Sequence, residues 1–342
     1  MAKFDFLLIG PYPFGNPSQI GGATILYKLL IDSFNERNIK NSVIAINYYH
    51  GKLGNLLNIL SVCFKAFYLI PLSRTVFMNF NRRGYMYLAP IIAFYSWLFN
   101  KRIVLRIFGG DAIEIYQMVG TWKKSILSKL FKNCNFLFFE TKSEVNFFNR
   151  INSASLWFPN SRVLHNNFIS RTFEKKFVYI SQIKETKGIL LLIDVFNDLD
   201  TTYQLKIYGP IIDPDLAWIK STKYYCGVLD FEEVNHVLDQ NNVLVLPTYH
   251  SGEGYPGIII EAYMMSIPVI TTDWKSIKDI VLHEISGILI APKSRHALRA
   301  AIVQIDKDNY TVLNQGAFKM TDQFNSRRIH EQVIKRLIEA KY

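Results

Sequence analysis

The sequence has few cysteines, and it has none of the spacings in which cysteine or histidine usually binds a metal. Its three cysteines, Cys63, Cys134 and Cys226, lie far apart and are odd in number. This usage argues against a disulfide framework and is typical of a reducing cytoplasm. The seven histidines show no ligand spacing either. We therefore expect a cytoplasmic protein without a metal site.

Two further signals are missing or weak. No Gly-x-Gly-x-x-Gly follows the first predicted strand, which disfavours a dinucleotide-dependent oxidoreductase. The pairs Asp198/Asp200 and Asp213/Asp215 have the Asp-x-Asp form of a metal clamp, but both stand beside turn-forming residues, where aspartate is common in any case. Asp5 interrupts the short apolar run at the N-terminus, so no signal peptide is expected.

The sequence also lacks an apolar run that is long enough to cross a membrane. Lys65 interrupts the run at residues 56–72, and Pro90 interrupts the run at residues 85–99. As a helix at about 1.5 Å per residue, the second run would reach roughly 22 Å, against ~30 Å for the hydrocarbon core. Its aromatic and apolar residues with basic flanks favour a helix lying in the membrane interface, although a buried core helix explains either run equally well.

What the sequence does contain is an excess of positive charge, and it is confined to the first half. Residues 1–168 hold 19 Lys+Arg against 7 Asp+Glu, whereas residues 169–342 hold 20 against 21. A basic half fits an anionic membrane surface, a phosphorylated acceptor or nucleic acid, and a solvated surface without a partner is the alternative. No nucleic-acid-binding motif accompanies the charge, so we do not expect nucleic acid as a partner.

Short buried strands alternate with helical segments along the whole chain. In the first half, strands are predicted at residues 4–9, 43–47, 76–80, 103–107 and 136–139. In the second half, they are predicted at residues 177–180, 205–208, 224–226, 243–247 and 269–271. Such alternation is typical of α/β layers around mostly parallel sheets.

The pattern predicts two doubly wound, Rossmann-like α/β domains that face a cleft. We place the first domain at residues 1–168 and the second at residues 169–320. An amphipathic helix follows within residues 321–342, with packing back onto the first domain as one option. Ligands of such sheets bind at the carboxyl ends of the strands, so functional residues are expected in the loops that follow strands.

The most informative segment is residues 246–273, where a buried strand leads through a glycine-containing loop into a helix. The helix begins near Gly257, and a helix N-terminus of this kind offers free N–H groups and a positive dipole end to phosphate. Glu253 lies in the loop and is a candidate for binding a hexose, although a charge favoured by the helix dipole explains it equally well. Glu261 interrupts an apolar run, where a carboxylate needs a partner, and is a candidate for binding a ribose. An exposed helix position explains Glu261 less well.

This segment resembles the retaining glycosyltransferases of family 4, which have the GT-B fold. The resemblance rests on Glu253-x7-Glu261, Ala262, the Pro-Val-Ile-Thr-Thr stretch at residues 268–272 and Ser-Gly-Ile-Leu-Ile at residues 286–290. It implies that Glu253 contacts the donor sugar and that Glu261 contacts the ribose. It also implies that the backbone between them meets the diphosphate and the sugar, at Tyr255, Pro256, Gly257 and Ile258. The second domain would then bind the nucleotide sugar.

A second match to the family lies in residues 177–196. Lys187-Gly188 stands where the family has a lysine and a glycine at a helix start, and a lysine there neutralises a leaving diphosphate. Gln182 occupies the position of the family's usual arginine. This replacement removes one bidentate phosphate clamp and leaves a neutral hydrogen-bond donor.

Two weaker matches to the family, and an aspartate in a region where many relatives carry a histidine, complete the candidate residues. Gly21 and Gly22 resemble the family's glycine loop, which approaches the donor phosphates or the acceptor, and a tight turn explains them equally well. Asp111 follows a buried strand and is a candidate to orient an acceptor hydroxyl or act as its base, with helix capping as the alternative. Gly227 and Val228 resemble the segment that frames the nucleotide base.

The resemblance implies a metal-independent, retaining hexosyltransferase that needs no cofactor besides its nucleoside diphosphate sugar, most simply a UDP-sugar. With the basic first half, it suggests a lipid-linked or phosphorylated glycan acceptor in bacterial surface polysaccharide synthesis (O antigen, capsule or lipopolysaccharide), at the inner face of the cytoplasmic membrane. Two alternatives remain. One is a sugar-nucleotide epimerase or hydrolase on the same fold, and the other is a non-catalytic partner that binds a nucleotide sugar.

Overall fold

The computed structural model describes residues 2–12, 22–46, 52–164 and 167–340. The chain divides into two compact units, of which unit 1 comprises the residues up to Pro159 and those from Ser326 onward. Unit 2 comprises Asn160–Asn325. The predicted boundary at residues 168/169 lies later than this division, because the segment from Asn160 is hydrogen-bonded to residues of unit 2.

Each unit is built around a parallel six-stranded sheet. The strands of unit 1 are β1 (Phe4–Pro11), β2 (Asn41–Ile46), β3 (Ser73–Phe80), β4 (Arg102–Ile107), β5 (Phe136–Phe139) and β6 (Ser155–Trp157). The strands of unit 2 are β7 (Lys176–Ile180), β8 (Gln204–Tyr208), β9 (Tyr225–Gly227), β10 (Val243–Leu246), β11 (Val269–Thr272) and β12 (Gly287–Ile290). The strand orders are β2-β1-β3-β4-β5-β6 and β12-β11-β10-β7-β8-β9. These sheets confirm the predicted α/β fold class with two doubly wound units.

Helices connect the strands in both units. They are α1 (Gly22–Glu36), α2 (Lys52–Leu69), α3 (Ala89–Leu98), α4 (Ala112–Met118), α5 (Thr121–Asn133), α6 (Lys142–Phe148), α7 (Ile189–Asn197), α8 (Glu233–Asp239), α9 (Gly257–Met264), α10 (Arg295–Val303), α11 (Lys307–Lys319) and α12 (Ser326–Glu339). None of the helices in the described ranges is long and apolar enough to pass through a membrane.

The sheet of unit 1 has a hydrophobic core on each of its faces. Leu7 and Ile9 of β1 belong to one core, and Phe6 and Leu8 belong to the other, as expected when successive side chains of a strand point to opposite faces. Helices on both faces of the sheet supply the rest, and this is why the strands are continuous apolar runs.

Helix α12 lies at the end of the described chain and packs within unit 1. Its Ile329, Val333 and Leu337 belong to the same core as Leu30 and Phe34 of α1. The amphipathic helix predicted within residues 321–342 thus buries its apolar face against α1.

Candidate functional site

Two neighbouring strands of unit 2 bring Lys187 and Glu253 together. β7 and β10 pair side by side in the sheet, and each residue lies in the segment that follows its strand. Nζ of Lys187 donates to Oε2 of Glu253 at 2.5 Å, and only 12% and 8% of the two side chains is exposed. Thr248 Oγ1 donates to the same carboxylate oxygen at 2.8 Å.

Gly188 explains how the two segments approach so closely. It has φ +75°, and a Cβ at this position would lie 2.2 Å from the carbonyl oxygen of Pro247. A side chain there is excluded both by the left-handed backbone and by the contact. The start of α7 can therefore lie directly against the end of β10. Tyr249 N also donates to the Thr186 carbonyl oxygen at 2.8 Å, so backbone contacts on both sides of Lys187 fix its position.

Glu261 is buried in α9, and its partner is an arginine that sequence reasoning did not single out. Nε of Arg162 donates to Oε1 of Glu261 at 2.6 Å, and the two side chains are 8% and 11% exposed. Arg162 Nη1 also donates to the carbonyl oxygen of Ser161 at 2.9 Å. The pair satisfies the requirement that a carboxylate within an apolar run has a partner.

The N-terminus of α9 lies beside this ion pair. Gly257 is the first residue of the helix, and no side chain caps it. A Cβ at Gly257 would lie 2.3 Å from Nη2 of Arg162, so the missing side chain makes room for the guanidinium group. The N–H groups of Gly257 and Ile258 belong to the first turn, which has no intrahelical acceptors for them. Pro256 has no N–H to offer, which corrects its inclusion among residues whose N–H groups bind phosphate.

The side chain of Tyr255 points into unit 2. Its hydroxyl donates to Oδ2 of Asp279 at 3.1 Å, and the residue is 1% exposed. Its carbonyl oxygen accepts from Nδ2 of Asn160 at 2.5 Å. Only the backbone of Tyr255 is thus placed at the start of α9.

Gln182, Gly227 and Val228 lie along the same carboxyl edge of the unit 2 sheet. Gln182 follows β7 and is exposed, with its carbonyl oxygen accepting from the Tyr179 hydroxyl at 3.0 Å. Gly227 ends the edge strand β9, with φ +102°. Val228 is 61% exposed. The structure therefore places these three residues on the same edge of the sheet as Lys187 and Glu253.

The candidate residues of unit 1 are less closely grouped. Gly21 lies outside the described residues, and Gly22 is the exposed first residue of α1. Asp111 precedes α4 but makes no capping hydrogen bond, and its Oδ2 lies 4.0 Å from Nη1 of Arg82. Asp111 thus occupies the N-cap position of α4, but its side chain does not cap the helix.

A carboxylate from another helix takes the place of that cap. Oε1 of Glu144, in α6, accepts from the N–H of Ala112 at 3.1 Å. Thr141 Oγ1 donates to Oε2 of Glu144 at 2.9 Å. Burial raises the pKa of Glu144 to about 8, and the hydrogen bonds from Thr141 and Ala112 oppose the rise.

The two Asp-x-Asp pairs have local partners in the structure. Asp198 pairs with Arg295, Asp200 accepts from Thr202 N at 2.9 Å, and Asp213 accepts from Glu185 N at 2.9 Å. No cluster of three or more histidine, cysteine or acidic residues with metal-binding geometry occurs in the described part of the chain.

Helices α2 and α3 carry a large exposed apolar surface. They meet through Phe67, whose ring centroid lies 5.4 Å from that of Tyr95 and 5.5 Å from that of Phe99. One face of each helix is buried, for example at Val62 and Ile92. Seven of the exposed residues of this surface are Leu56, Leu57, Leu60, Phe64, Tyr68, Phe94 and Trp97. We call these seven residues the apolar surface of unit 1; core burial thus accounts for only one face of each predicted apolar run.

Comparisons with known proteins match most of unit 2 to glycosyltransferases. Residues 174–308 match the family model described as glycosyl transferases group 1. The putative teichuronic acid biosynthesis glycosyltransferase TuaC of Bacillus subtilis is 27% identical over 132 residues, which cover 38% of this chain and 33% of that protein. The putative colanic acid biosynthesis glycosyltransferase WcaL of Salmonella typhimurium is 31% identical over 193 residues, covering 51% and 47%. The chain thus spans less than half the length of these curated relatives.

Solved structures match almost the whole chain. Sucrose-phosphate synthase from Thermosynechococcus elongatus has a TM-score of 0.74 at 18% identity and covers 98% of this chain and 99% of its own. Anabaena Alr3699/HepE, in complex with UDP and glucose, has a TM-score of 0.71 at 14% identity and covers 98% and 100%. At these identities the likeness shows the fold. The chain therefore has the α/β fold of the GT-B glycosyltransferases, and the part that holds Lys187, Glu253 and Glu261 is similar to glycosyl transferases group 1.

Proposed function

We propose that the protein is a glycosyltransferase that moves a hexose from a nucleoside diphosphate sugar, most simply a UDP-sugar, to a glycan acceptor. The observation that carries this proposal is the buried Lys187–Glu253 pair, at the carboxyl edge of a parallel sheet that also holds Glu261 and the N-terminus of α9. UDP is the favoured nucleotide because the structurally similar Anabaena protein was solved in complex with UDP and glucose.

Different residues of unit 2 bind different parts of the donor. The N–H groups of Gly257 and Ile258 bind the diphosphate, aided by the positive end of the helix dipole. Glu261 accepts hydrogen bonds from the ribose. The described bonds to the Glu253 carboxylate both reach Oε2, so Oε1 is the oxygen that accepts from a hydroxyl of the donor sugar. Gly227 and Val228 border the base.

The reaction retains the anomeric configuration and proceeds by front-side attack. The acceptor hydroxyl approaches the anomeric carbon on the side of the leaving diphosphate, the bond from carbon to phosphate oxygen breaks, and a new glycosidic bond forms. The hydroxyl proton passes to the departing phosphate. Lys187 and the helix N-terminus neutralise the leaving group, so the chemistry needs no metal and no further cofactor. Asp111, in unit 1, orients the acceptor hydroxyl.

The acceptor is a lipid-linked or phosphorylated glycan presented at an anionic membrane. This part of the proposal rests on the apolar surface of unit 1 and on the basic first half of the chain. Exposed basic residues such as Lys65, Arg82 and Lys123 lie on or next to α2 and α3. Apolar and aromatic side chains with basic neighbours fit the headgroup region of an anionic bilayer. The relatives named for teichuronic acid and colanic acid biosynthesis support surface polysaccharide synthesis as the setting. The proposed location is the inner face of the cytoplasmic membrane.

A non-catalytic nucleotide-sugar-binding protein is the second candidate, and Gln182 is the observation that favours it. The neutral side chain is exposed at the position where the family has an arginine, so one phosphate clamp is missing. A binder of this kind would take up the nucleotide sugar and leave the bond to the sugar intact.

Titration calorimetry and donor turnover together test the proposal. UDP, GDP and ADP are titrated into wild-type protein, Glu261→Ala and Lys187→Ala, with the exposed Lys278→Ala as matched control. Selective binding of UDP, weakened tenfold or more (~1.4 kcal/mol) by either site substitution, supports the donor site. Release of UDP from a UDP-hexose in the presence of a bacterial glycolipid extract as acceptor, lost in Lys187→Ala and kept in Lys278→Ala, supports an enzyme. UDP binding without any UDP release from a panel of UDP-hexoses in the presence of this extract favours the second candidate, and no nucleotide binding contradicts both.

A further inference from the structure

The proposed donor site lacks an arginine at one position, and the structure places another arginine in the same unit. Gln182 leaves the site without the arginine that would clamp a phosphate. Arg162 brings an arginine into unit 2 from the segment just after the division between the units. It lies 99 positions before Glu261 in the sequence and belongs to none of the motifs that carry the family resemblance.

Arg162 is held firmly in its place. Its backbone N–H donates to the carbonyl oxygen of Phe324 at 3.0 Å, and its backbone pairs with that of Asn325 in an isolated parallel β-bridge. The residue is 6% exposed. Nε and Nη1 are bound to Glu261 and to the Ser161 carbonyl oxygen, so two of the three guanidinium nitrogens fix the orientation of the group.

The third nitrogen, Nη2, lies against the first residue of α9. The room for it exists because residue 257 is glycine, since a Cβ there would stand 2.3 Å from this atom. Within the described residues, Nη2 takes part in none of the hydrogen bonds of Arg162. The guanidinium plane therefore presents one donor at the same helix end that offers the N–H groups of Gly257 and Ile258.

The positive charge of Arg162 lies at an unfavourable place, beside the N-terminus of α9. A cation at the N-terminus of a helix is repelled by the positive end of the helix dipole. Glu261 offsets the charge of Arg162, as Glu253 offsets that of Lys187, so the two buried pairs are neutral together. An anion bound at the start of α9 would be attracted by the dipole, by the N–H groups and by Nη2 at once. The positive charge of Arg162, which is unfavourable beside the helix N-terminus alone, would then help to bind the anion.

We propose that Arg162 is a donor-binding residue, which contacts the diphosphate of the nucleotide through Nη2 and takes over the clamp that Gln182 cannot provide. Through Nε it also holds Glu261 in place for the ribose. One planar group thereby links the recognition of the ribose to that of the diphosphate, a geometry that lysine cannot reproduce. The inference rests on the proposed function and assigns a further residue to the same site.

The test compares the affinities for UDP and for uridine, with uridine measured by displacement of UDP. A contact with the diphosphate predicts that Arg162→Met weakens UDP at least tenfold (~1.4 kcal/mol) and uridine less than threefold. Arg162→Lys should recover only part of the loss. Gln182→Arg in the Arg162→Met background should restore UDP affinity, because it returns an arginine to the family's position.

A second variant keeps the arginine and moves it. Gly257→Ala places a methyl group where Nη2 lies, and it should cause the same selective loss for UDP as Arg162→Met; circular dichroism checks that each variant is folded. Equal losses for UDP and uridine would mean that Arg162 only holds Glu261, and the inference would be wrong while the proposed function stands. Failure of the wild-type protein to bind UDP, GDP or ADP would overturn the proposed function and the inference together.

Discussion

Unit 1 and unit 2 have parallel sheets of the same size, yet they stabilise buried carboxylates in different ways. In unit 2, Glu253 and Glu261 each have a cation within 2.6 Å. In unit 1, Glu144 is held by a backbone N–H and by a threonine hydroxyl, and burial raises its pKa to about 8. The ion pairs of unit 2 provide charged groups that can also interact with a ligand. The hydrogen bonds and burial of Glu144 favour a neutral acid with a structural role.

This difference bears on which buried carboxylates are candidates for binding a ligand. A buried ion pair is costly to desolvate and contributes little to stability on balance, so the two pairs of unit 2 make that sheet edge the candidate site. A neutral carboxylic acid that accepts hydrogen bonds at a helix start needs no ligand to explain it. Substitutions in the two units test this contrast.

Removing the cation of the Lys187–Glu253 pair should have the largest effect. We expect Lys187→Met to lower kcat for sugar transfer about 100- to 1000-fold, because the leaving diphosphate loses the positive charge of Lys187 (~3–4 kcal/mol). Steady-state release of UDP from the UDP-hexose measures it. Lys278→Met, at an exposed position of unit 2, should stay within twofold of wild type, and an equal loss in both variants would contradict the role of Lys187.

Gly188→Ala should destabilise unit 2 by about 2–4 kcal/mol, because the added Cβ meets the Pro247 carbonyl oxygen and the backbone is left-handed. Urea unfolding followed by circular dichroism measures the loss. Gly120→Ala is the matched change in unit 1, where a Cβ meets nothing within 4 Å. It should change the free energy of unfolding by less than about 0.5 kcal/mol, and comparable losses in both variants would refute the close approach.

The stability of unit 1 should fall as pH rises from 6.5 to 8. In this window the unfolded state has released the proton of Glu144, whose ordinary pKa is 4.5, while the folded state retains it up to about pH 8. The expected slope is about −1.4 kcal/mol per pH unit. Hydrogen exchange of the α4 and α6 amides at several pH values measures it.

Glu144→Gln should remove this slope, because an amide cannot lose a proton. The exposed Glu232→Gln, in unit 2, should keep the wild-type slope. A slope that persists in Glu144→Gln would assign the pH dependence to another group. His330 acts in the opposite direction but below this window: burial lowers its pKa from 6.5 to about 3, so its contribution is lost as pH falls below 6.5.

The apolar surface of unit 1 gives the smallest predicted effect. Trp97→Ser should weaken binding to vesicles that contain anionic lipid about tenfold (~1.4 kcal/mol), because an exposed indole contributes much of the interfacial contact. Vesicle co-sedimentation measures it. Trp218 in unit 2 is 49% exposed, and Trp218→Ser should leave binding within twofold. Equal effects, or no binding by wild type, would contradict a membrane role for this surface.

The sequence was sufficient to predict most of the strands, because strands of a sheet covered on both faces are continuous apolar runs. The prediction at residues 136–139 coincides with β5, and that at residues 243–247 ends one residue beyond β10. The strands β6, Ser155–Trp157, and β12, Gly287–Ile290, were missed. Both are short and lie at the edge of their sheets.

The candidate site was predicted only as far as local motifs reach. Lys187, Glu253 and Glu261 stand near glycines between a strand and a helix, and this local signal is visible in the sequence. The contact between Lys187 and Glu253, and the partnership of Arg162 with Glu261, depend on residues that are far apart in the chain. For Asp111, the alternative role predicted from the sequence was capping of α4. Instead, Glu144 of α6 accepts a hydrogen bond from the first N–H of that helix. A carboxylate buried within an apolar run needs a partner, but the sequence does not say which residue provides it.

The location of α12 has a consequence for how the protein is synthesised. Ile329, Val333 and Leu337 complete a core of unit 1, while unit 2 lies between them and the rest of that unit in the sequence. A growing chain emerges from the ribosome N-terminus first, and domains generally fold as they emerge. Unit 1 must therefore wait with an open core until all of unit 2 has been made, although its strands β1 to β6 are translated before any of unit 2. Unit 2 starts later in the sequence than unit 1, but all of its residues are available to fold before those of unit 1 are complete.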